Sequence, residues 1–324
     1  MLVELGIADA YGSCFENTSN EFVKRNNDLN YEIHPRILRR YPEDKQPTLV
    51  PAGCYTDDTQ MSIGVAEMML DKDFDWYDKE AMSDKFLECF KRDERRGYTP
   101  YLFLTMMNSK TGKELLSKLG GKSDKSGAFM RSAPIGMYSN LDEVMEKAAL
   151  NAMVTHDSWV GRNSAIGAAM MTHYFYHDLG PKKDLINWLR EKHFGQTLRA
   201  DKPFWVPSDD GNPANNGKGF GVEVKPWKSD KRVRVHGWDC FEAALYAIEE
   251  SESLSEILLC CVSLGGDSDT VAAVAVAAAS CSKEIKQDIP RNLSEEFEDG
   301  PFGHKFLTDL DIRLMEAFPC VGLS

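Results

Sequence analysis

Long apolar runs, C-x-x-C cysteine pairs and a surplus of basic charge are all missing from this 324-residue chain. No window reaches the ~18 apolar residues that a membrane helix requires, so no membrane-spanning segment is expected. The opening Met1–Ile7 stretch carries Glu4 where a secretory leader has basic residues, and its apolar run is short, so no leader is expected either. The eight cysteines include no C-x-x-C spacing, and Cys89, Cys260, Cys261 and Cys281 fall inside apolar helical patterns. That usage speaks against a zinc site or a disulfide frame and for small core hydrophobes in a reducing compartment, with the cytoplasm as the expected location. Acidic residues outnumber basic ones by 51 to 38, a net charge of -13, which argues against a nucleic-acid partner held by a groove or a patch. The one dense basic cluster, Lys91-Arg92 with Arg95-Arg96, is interrupted by Asp93-Glu94 and reads as a solvated helix face. A Walker loop, a Rossmann glycine motif and a nucleophile elbow are absent, and His173 and His177 lack the glutamate of an H-E-x-x-H zinc helix.

What is present is helical periodicity. Met61, Val65, Met68 and Met69 repeat at i, i+4, i+7 and i+8, and further helices are expected around Val144–Met153, Ala165–Tyr176, Phe241–Glu249 and Leu254–Ser263. The Val271–Ala279 run is apolar on every side; a strand is the alternative, but its alanine content favours a buried central helix. Two stretches break the pattern. Residues 17–55 read as a long loop with at most one helix, and residues 200–237 contain two short alternating runs, Val222/Val224 and Val233/Val235, that suggest a small β-ribbon. The expectation is one all-helical domain over residues 1–324 with a β-ribbon excursion. Aromatic and basic residues near the ribbon tip, such as Trp227, Lys228, Lys231 and Arg232, would suit a protein surface.

Two acidic clusters carry the chemistry. Thr56-Asp57-Asp58-Thr59 stands before a helix expected to begin near Gln60, and Gly265-Gly266-Asp267-Ser268-Asp269-Thr270 stands before the Val271 helix. Either cluster taken alone is explained by helix capping, because Asp and Thr oxygens accept the unpaired N–H groups of a first turn. Capping needs one such oxygen, however, and each cluster holds several. If the two helix starts converge, their carboxylates repel one another unless hard cations hold them. An all-oxygen donor set suits Mg²⁺ better than zinc or iron.

These segments resemble the metal motifs of the ADP-ribosylglycohydrolases. Three more match in the family's order: Ala8-Asp9-Ala10-Tyr11-Gly12-Ser13-Cys14-Phe15-Glu16, Ser126-Gly127-Ala128-Phe129-Met130-Arg131-Ser132-Ala133-Pro134 and Thr155-His156-Asp157-Ser158. Ser126 stands where the family often has Asn. The resemblance implies a compact orthogonal helical bundle that binds two Mg²⁺ ions, with Mn²⁺ as a substitute. It also implies that Thr56, Asp57, Asp58, Asp267, Asp269 and Thr270 are the metal ligands. Glu16 matches the mobile glutamate that, in the serine-specific branch of the family, moves aside when substrate enters. Gly127, Phe129, Met130 and His156 would line the ADP-ribose groove, with Gly265 and Gly266 near the phosphates or ribose. A satisfied core histidine is the plain alternative for His156. The implied reaction is hydrolysis of the glycosidic bond in an ADP-ribosylated protein or a small ADP-ribosyl conjugate. Glu16, Asp58 and Asp269 are the candidate catalytic carboxylates, and the residues leave open which accepts the proton of water. A non-catalytic ADP-ribose-binding or inhibitory module is the alternative reading. The Asp267-Ser268-Asp269-Thr270-Val271 stretch also looks like a haloacid-dehalogenase nucleophile loop, but it lies late in the chain and outside an alternating βα pattern.

Overall fold

The computed structural model describes residues 1–32, 51–194, 227 and 232–320. Within them the α-helices run in order as α1 Leu2–Ser13, α2 Asn20–Asn26, α3 Asp57–Leu70, α4 Lys79–Arg92, α5 Pro100–Met107, α6 Gly112–Lys118, α7 Leu141–Met153, α8 Trp159–Tyr176, α9 Leu185–Leu189, α10 Gly237–Glu250, α11 Leu254–Leu264, α12 Ser268–Ala279, α13 Arg291–Glu296 and α14 His304–Ala317. Short 3₁₀ turns at Ser126–Ala128 and Ala133–Met137 link α6 to α7. Among the described residues the β contacts are isolated bridges only, so the fold is all-helical. The Val222/Val224 half of the expected ribbon, and most of the 200–231 stretch, lie outside the described residues. Of the other half, Val233 makes one parallel bridge, to Gly266, because a single extended residue meets the turn before α12.

The arrangement is built around α12. All of its residues are buried, and α1, α3, α8, α10 and α11 pack around it. Alanine and valine on every face allow this, since small side chains let neighbouring backbones approach closely. The closest approach is at Gly12 of α1, where an added Cβ would come within 2.6 Å of Asp269 Cα and of the Ser268 carbonyl oxygen. The Ser268 hydroxyl completes the contact by donating to the Gly12 carbonyl at 2.9 Å. The other end of α1 is held by Asp311 of α14, whose carboxylate accepts from the Leu2 and Val3 amides and from the terminal amine. A carboxylate there meets the positive end of the helix dipole.

Helices α3 and α12 start earlier than their apolar periodicity predicts. Asp57 and Asp58 lie in the first turn of α3, and Asp269 and Thr270 lie in the first turn of α12. Acidic residues are favourable in a first turn, so the polar clusters belong to the helices themselves. His173 and His177 are buried packing groups whose ring nitrogens bond to the carbonyls of Gly136 and Tyr138.

Candidate functional site

The helix starts of α3 and α12 meet beside the end of α1, and the residue at the N-cap of each makes no capping bond with its side chain. Helices α2, α4, α5, α6, α7, α8 and α11 are each capped by the side chain of Ser19, Asp78, Thr99, Thr111, Asn140, Ser158 or Ser253. Thr56 and Asp267, at the same positions of α3 and α12, make no such bond. For α3 the cap comes from Asp9 of α1 instead. Its Oδ2 accepts from the amides of Thr56 and Thr59 at 3.0 Å and from the Thr59 hydroxyl at 2.6 Å, while Oδ1 accepts from the Thr56 hydroxyl at 2.7 Å. The cap of α3 thus comes from outside the helix.

Glu16 is placed by the turn that ends α1. Asn17 takes a left-handed φ of 53°, a conformation Asn tolerates better than most residues. Its amide donates to the Gly266 carbonyl at 2.8 Å and its side-chain amide donates to Glu16 Oε1 at 2.8 Å. Glu16, Asp267 and Asp269 are all buried, and each offers an oxygen within 4.8 Å of the other two. Asp267 Oδ2 accepts from the Ser126 hydroxyl at 2.7 Å and from the Cys240 thiol at 3.3 Å. Asp269 Oδ1 accepts from the Thr270 amide at 3.0 Å.

The electrostatics of this pole are unfavourable without a counter-charge. Burial, then the charges of Asp9, Asp57 and Asp267, push Asp58 well above the usual carboxylate range, and the Thr270 hydroxyl offsets only part of this. Burial, then Glu16, Asp58 and Asp267, do the same to Asp269, and burial with Glu16 raises Asp267. Among the described residues no Lys or Arg pairs with Asp58, Asp267 or Asp269. Asp58 Oδ1 is buried without a hydrogen-bond partner, which costs free energy unless something binds it. Clustered hard oxygens with an orphaned acceptor fit a divalent cation that prefers oxygen ligands.

The acidic pole forms one end of a cavity of about 720 Å³, within the usual range for a small-molecule site. The loop from Gly120 to Gly127, which reaches the acids through Ser126, also lines it, as do His156, Thr99–Leu102 and Leu119. The expected site residues Glu16, Asp57, Asp58, Asp267, Asp269, Thr270, Gly127, Met130 and His156 all line this cavity. Four others do not. Phe129 is fully buried and packs its ring on Phe241 at 6.4 Å. Thr56 faces Asp9 through its hydroxyl. Gly265 and Gly266, with φ of 65° and 88°, form the turn into α12. At Gly266 an added Cβ would come within 1.8 Å of the Val233 carbonyl oxygen, so its role is to let a backbone pass.

The basic cluster after α4 is not the solvated face its sequence suggests. Arg92 pairs with Glu67 at 2.6 Å; Arg95 pairs with Asp93 and Glu298 and lies 3.5 Å from the Tyr55 ring centroid. These anchors hold the loop that brings Gly97 against α3, where an added Cβ would reach within 2.1 Å of Asp57 Oδ1.

A family model described as ADP-ribosylglycohydrolase matches residues 1–320. The chain belongs to the ADP-ribosylglycohydrolase family. It is 25% identical over 317 residues to a protein of Archaeoglobus fulgidus, covering 97% of this chain and 94% of that one. It is 26% identical over 284 residues to the mouse ADP-ribosylhydrolase ARH3, covering 75% of this chain and 73% of that one. A solved structure titled ADP-ribosylglycohydrolase-related protein complex superposes with a TM-score of 0.61 at 20% identity over 98% of this chain and 95% of that one, a likeness of fold. Around this cavity, Asp9, Gly12, Ser126, Cys240 and Arg131 are the supporting residues that sequence reasoning left without a role. Asp9 has partners 47 and 50 positions away in the chain, so no local spacing marks it.

Proposed function

We propose that this protein is a metal-dependent hydrolase that releases ADP-ribose from a modified side chain or a related conjugate by cleaving the glycosidic bond. The observation that carries the reading is the convergence of Glu16, Asp267 and Asp269, with the unpartnered Oδ1 of Asp58 nearby, at one end of a cavity large enough for a nucleotide sugar. Two Mg²⁺ ions, with Mn²⁺ as a substitute, would be held by Asp57, Asp58, Asp267, Asp269 and Thr270 with the Thr56 hydroxyl, and would supply electrophilic orientation of ribose hydroxyls and water.

The chain's own residues do the rest. Glycosidic cleavage passes through an oxocarbenium-like state, and a carboxylate beside the anomeric carbon must take the proton of the attacking water. Glu16 suits that task, because its carboxylate borders the cavity and its Oε1 is held by Asn17. Ser126 and Cys240 orient Asp267 by donating to its Oδ2. Met130 and the Gly120–Gly127 loop line the rest of the cavity, with Lys122 and Lys125 available to a diphosphate.

The test is a panel of serine-linked, arginine-linked and nucleobase-linked ADP-ribosyl substrates, each with Mg²⁺ and with EDTA. Release of free ADP-ribose in Mg²⁺ alone supports the reading and identifies the acceptor. Tight ADP-ribose binding without release from any substrate replaces the enzyme with a binding module. Full activity after exhaustive chelation removes the metal from the reaction.

A further inference from the structure

His156 sits at the end of a chain of buried hydrogen bonds. The chain starts at Arg131, which is fully buried and has no carboxylate beside it. Its Nε donates to the Asn151 side-chain oxygen at 3.0 Å, and Nη1 donates to the Gly127 carbonyl at 3.0 Å. Nη2 donates to the Asn151 carbonyl and to the Thr155 hydroxyl, both at 2.9 Å. An arginine has no acceptor, so the Thr155 oxygen must accept from it. That hydroxyl has one hydrogen of its own, and His156 Nδ1 lies 2.6 Å away. Among the described residues Nδ1 is the one acceptor that hydrogen has, and donating it there leaves Nδ1 as the unprotonated nitrogen of the ring.

The other nitrogen is left open. Among the described residues His156 Nε2 has no hydrogen-bond partner, yet it is not one of the atoms sealed from solvent without one. It opens on the cavity that His156 lines. Gly127 keeps it open: a Cβ there would come within 2.8 Å of Cε1 and 3.1 Å of Nε2. Gly127 has no positive φ, so this clearance rather than backbone strain calls for glycine.

We propose that Arg131 and Thr155 are positioning residues that lock His156 as its Nε2–H tautomer, making Nε2 a fixed hydrogen-bond donor to an acceptor oxygen of the ligand. The ring stays neutral while it does so, because burial, then the nearby charges of Arg131 and Lys125, push its pKa down to about 3. A neutral donor that cannot turn into an acceptor selects oxygen acceptors and rejects donors at that point of the cavity. The assignment of ADP-ribose as the ligand rests on the function proposed above; the tautomer does not.

The two parts are tested separately. In the full-length protein with ¹⁵N-labelled histidine, His156 is expected to show a protonated Nε2 and an unprotonated Nδ1 from pH 5 to 8, with the signal assigned through His156→Gln. A protonated Nδ1 overturns the proposal outright. Calorimetric titration with ADP-ribose then compares Thr155→Val, which keeps the shape and loses the hydroxyl, with Thr155→Ser, which keeps it. The expected result is about a tenfold loss of affinity for Thr155→Val and near wild-type affinity for Thr155→Ser, with similar melting temperatures. Gly127→Ala is expected to weaken binding while leaving the nitrogen signals unchanged. Wild-type affinity in Thr155→Val overturns the positioning role. An Nε2–H signal in a wild-type protein that does not bind ADP-ribose overturns the ligand and leaves the tautomer standing.

Discussion

Replacing Asp269 by Asn should make the metal-free protein more stable, the opposite of what most buried substitutions do. Asp269 has an oxygen within 4.8 Å of oxygens of Glu16 and Asp267. Two unit charges at that separation repel by about 3.5 kcal/mol at an effective dielectric of about 20. The wild type escapes part of this by taking up protons, so a net gain of about 1–3 kcal/mol is expected for the variant. Asn keeps the oxygen that accepts from the Thr270 amide, so no hydrogen bond is lost. For 324 residues, with an unfolding entropy of about 2.1 cal/mol/K per residue, 1 kcal/mol moves Tm by about 1.5 °C. Thermal melts in EDTA at pH 7.5 should therefore place Asp269→Asn about 2–5 °C above wild type.

The pH dependence follows from the raised folded-state pKa values of Asp58, Asp267 and Asp269. A carboxyl raised in the folded state stabilises the fold fully below its unfolded pKa of about 3.9, and that stability is lost as pH rises through the folded value. The metal-free wild type should thus melt lower at pH 8 than at pH 5, and Asp269→Asn should show a shallower slope. Saturating Mg²⁺ should raise the wild type more than the variant, by about 2.7 kcal/mol at a hundredfold excess over Kd. A variant that melts below wild type in EDTA at pH 7.5, with an unchanged pH slope, would refute the account of the acidic pole.

Three further outcomes are expected. Asp9→Ala strands two amides and two hydroxyls at the start of α3 and should cost about 2–5 kcal/mol, read as a fall in the urea midpoint at constant m-value; a midpoint within error of wild type would remove Asp9 as the external cap. Gly12→Ala pushes a methyl into the backbone of Ser268 and Asp269, so it should cost about 1–3 kcal/mol and also reduce the Mg²⁺-induced rise in Tm; loss of stability with an undiminished Mg²⁺ response would separate packing from the site. Glu16→Gln should retain ADP-ribose binding and release ADP-ribose about 10²-fold more slowly or worse; a change below about threefold in that rate would take Glu16 out of the proton transfer.

Much of this protein is legible in one dimension because its signals are local. The Val271–Ala279 run is apolar in every direction, and such a segment can only be buried, so α12 at the centre follows from composition. The doubled acids at Asp57-Asp58 and Asp267/Asp269 announce surplus oxygen donors whatever the fold around them. The apolar pattern alone misplaces both helix starts, since acidic first-turn residues carry no hydrophobic periodicity. Other features depend on groups far apart in the chain, and only the tertiary structure decides them. Whether Asp and Thr at a helix start are caps depends on who else can cap, and Asp9 becomes the cap of α3 only once α1 lies beside it. Whether Gly265-Gly266 faces a ligand or a neighbouring backbone depends on where Val233 passes. The protonation pattern of His156 depends on a buried arginine 25 positions earlier in the sequence, acting through one threonine hydroxyl. Residue types and their spacing state which oxygens, nitrogens and apolar faces exist; hydrogen-bond direction and close approach belong to pairs of residues, and those pairs form only in the folded chain.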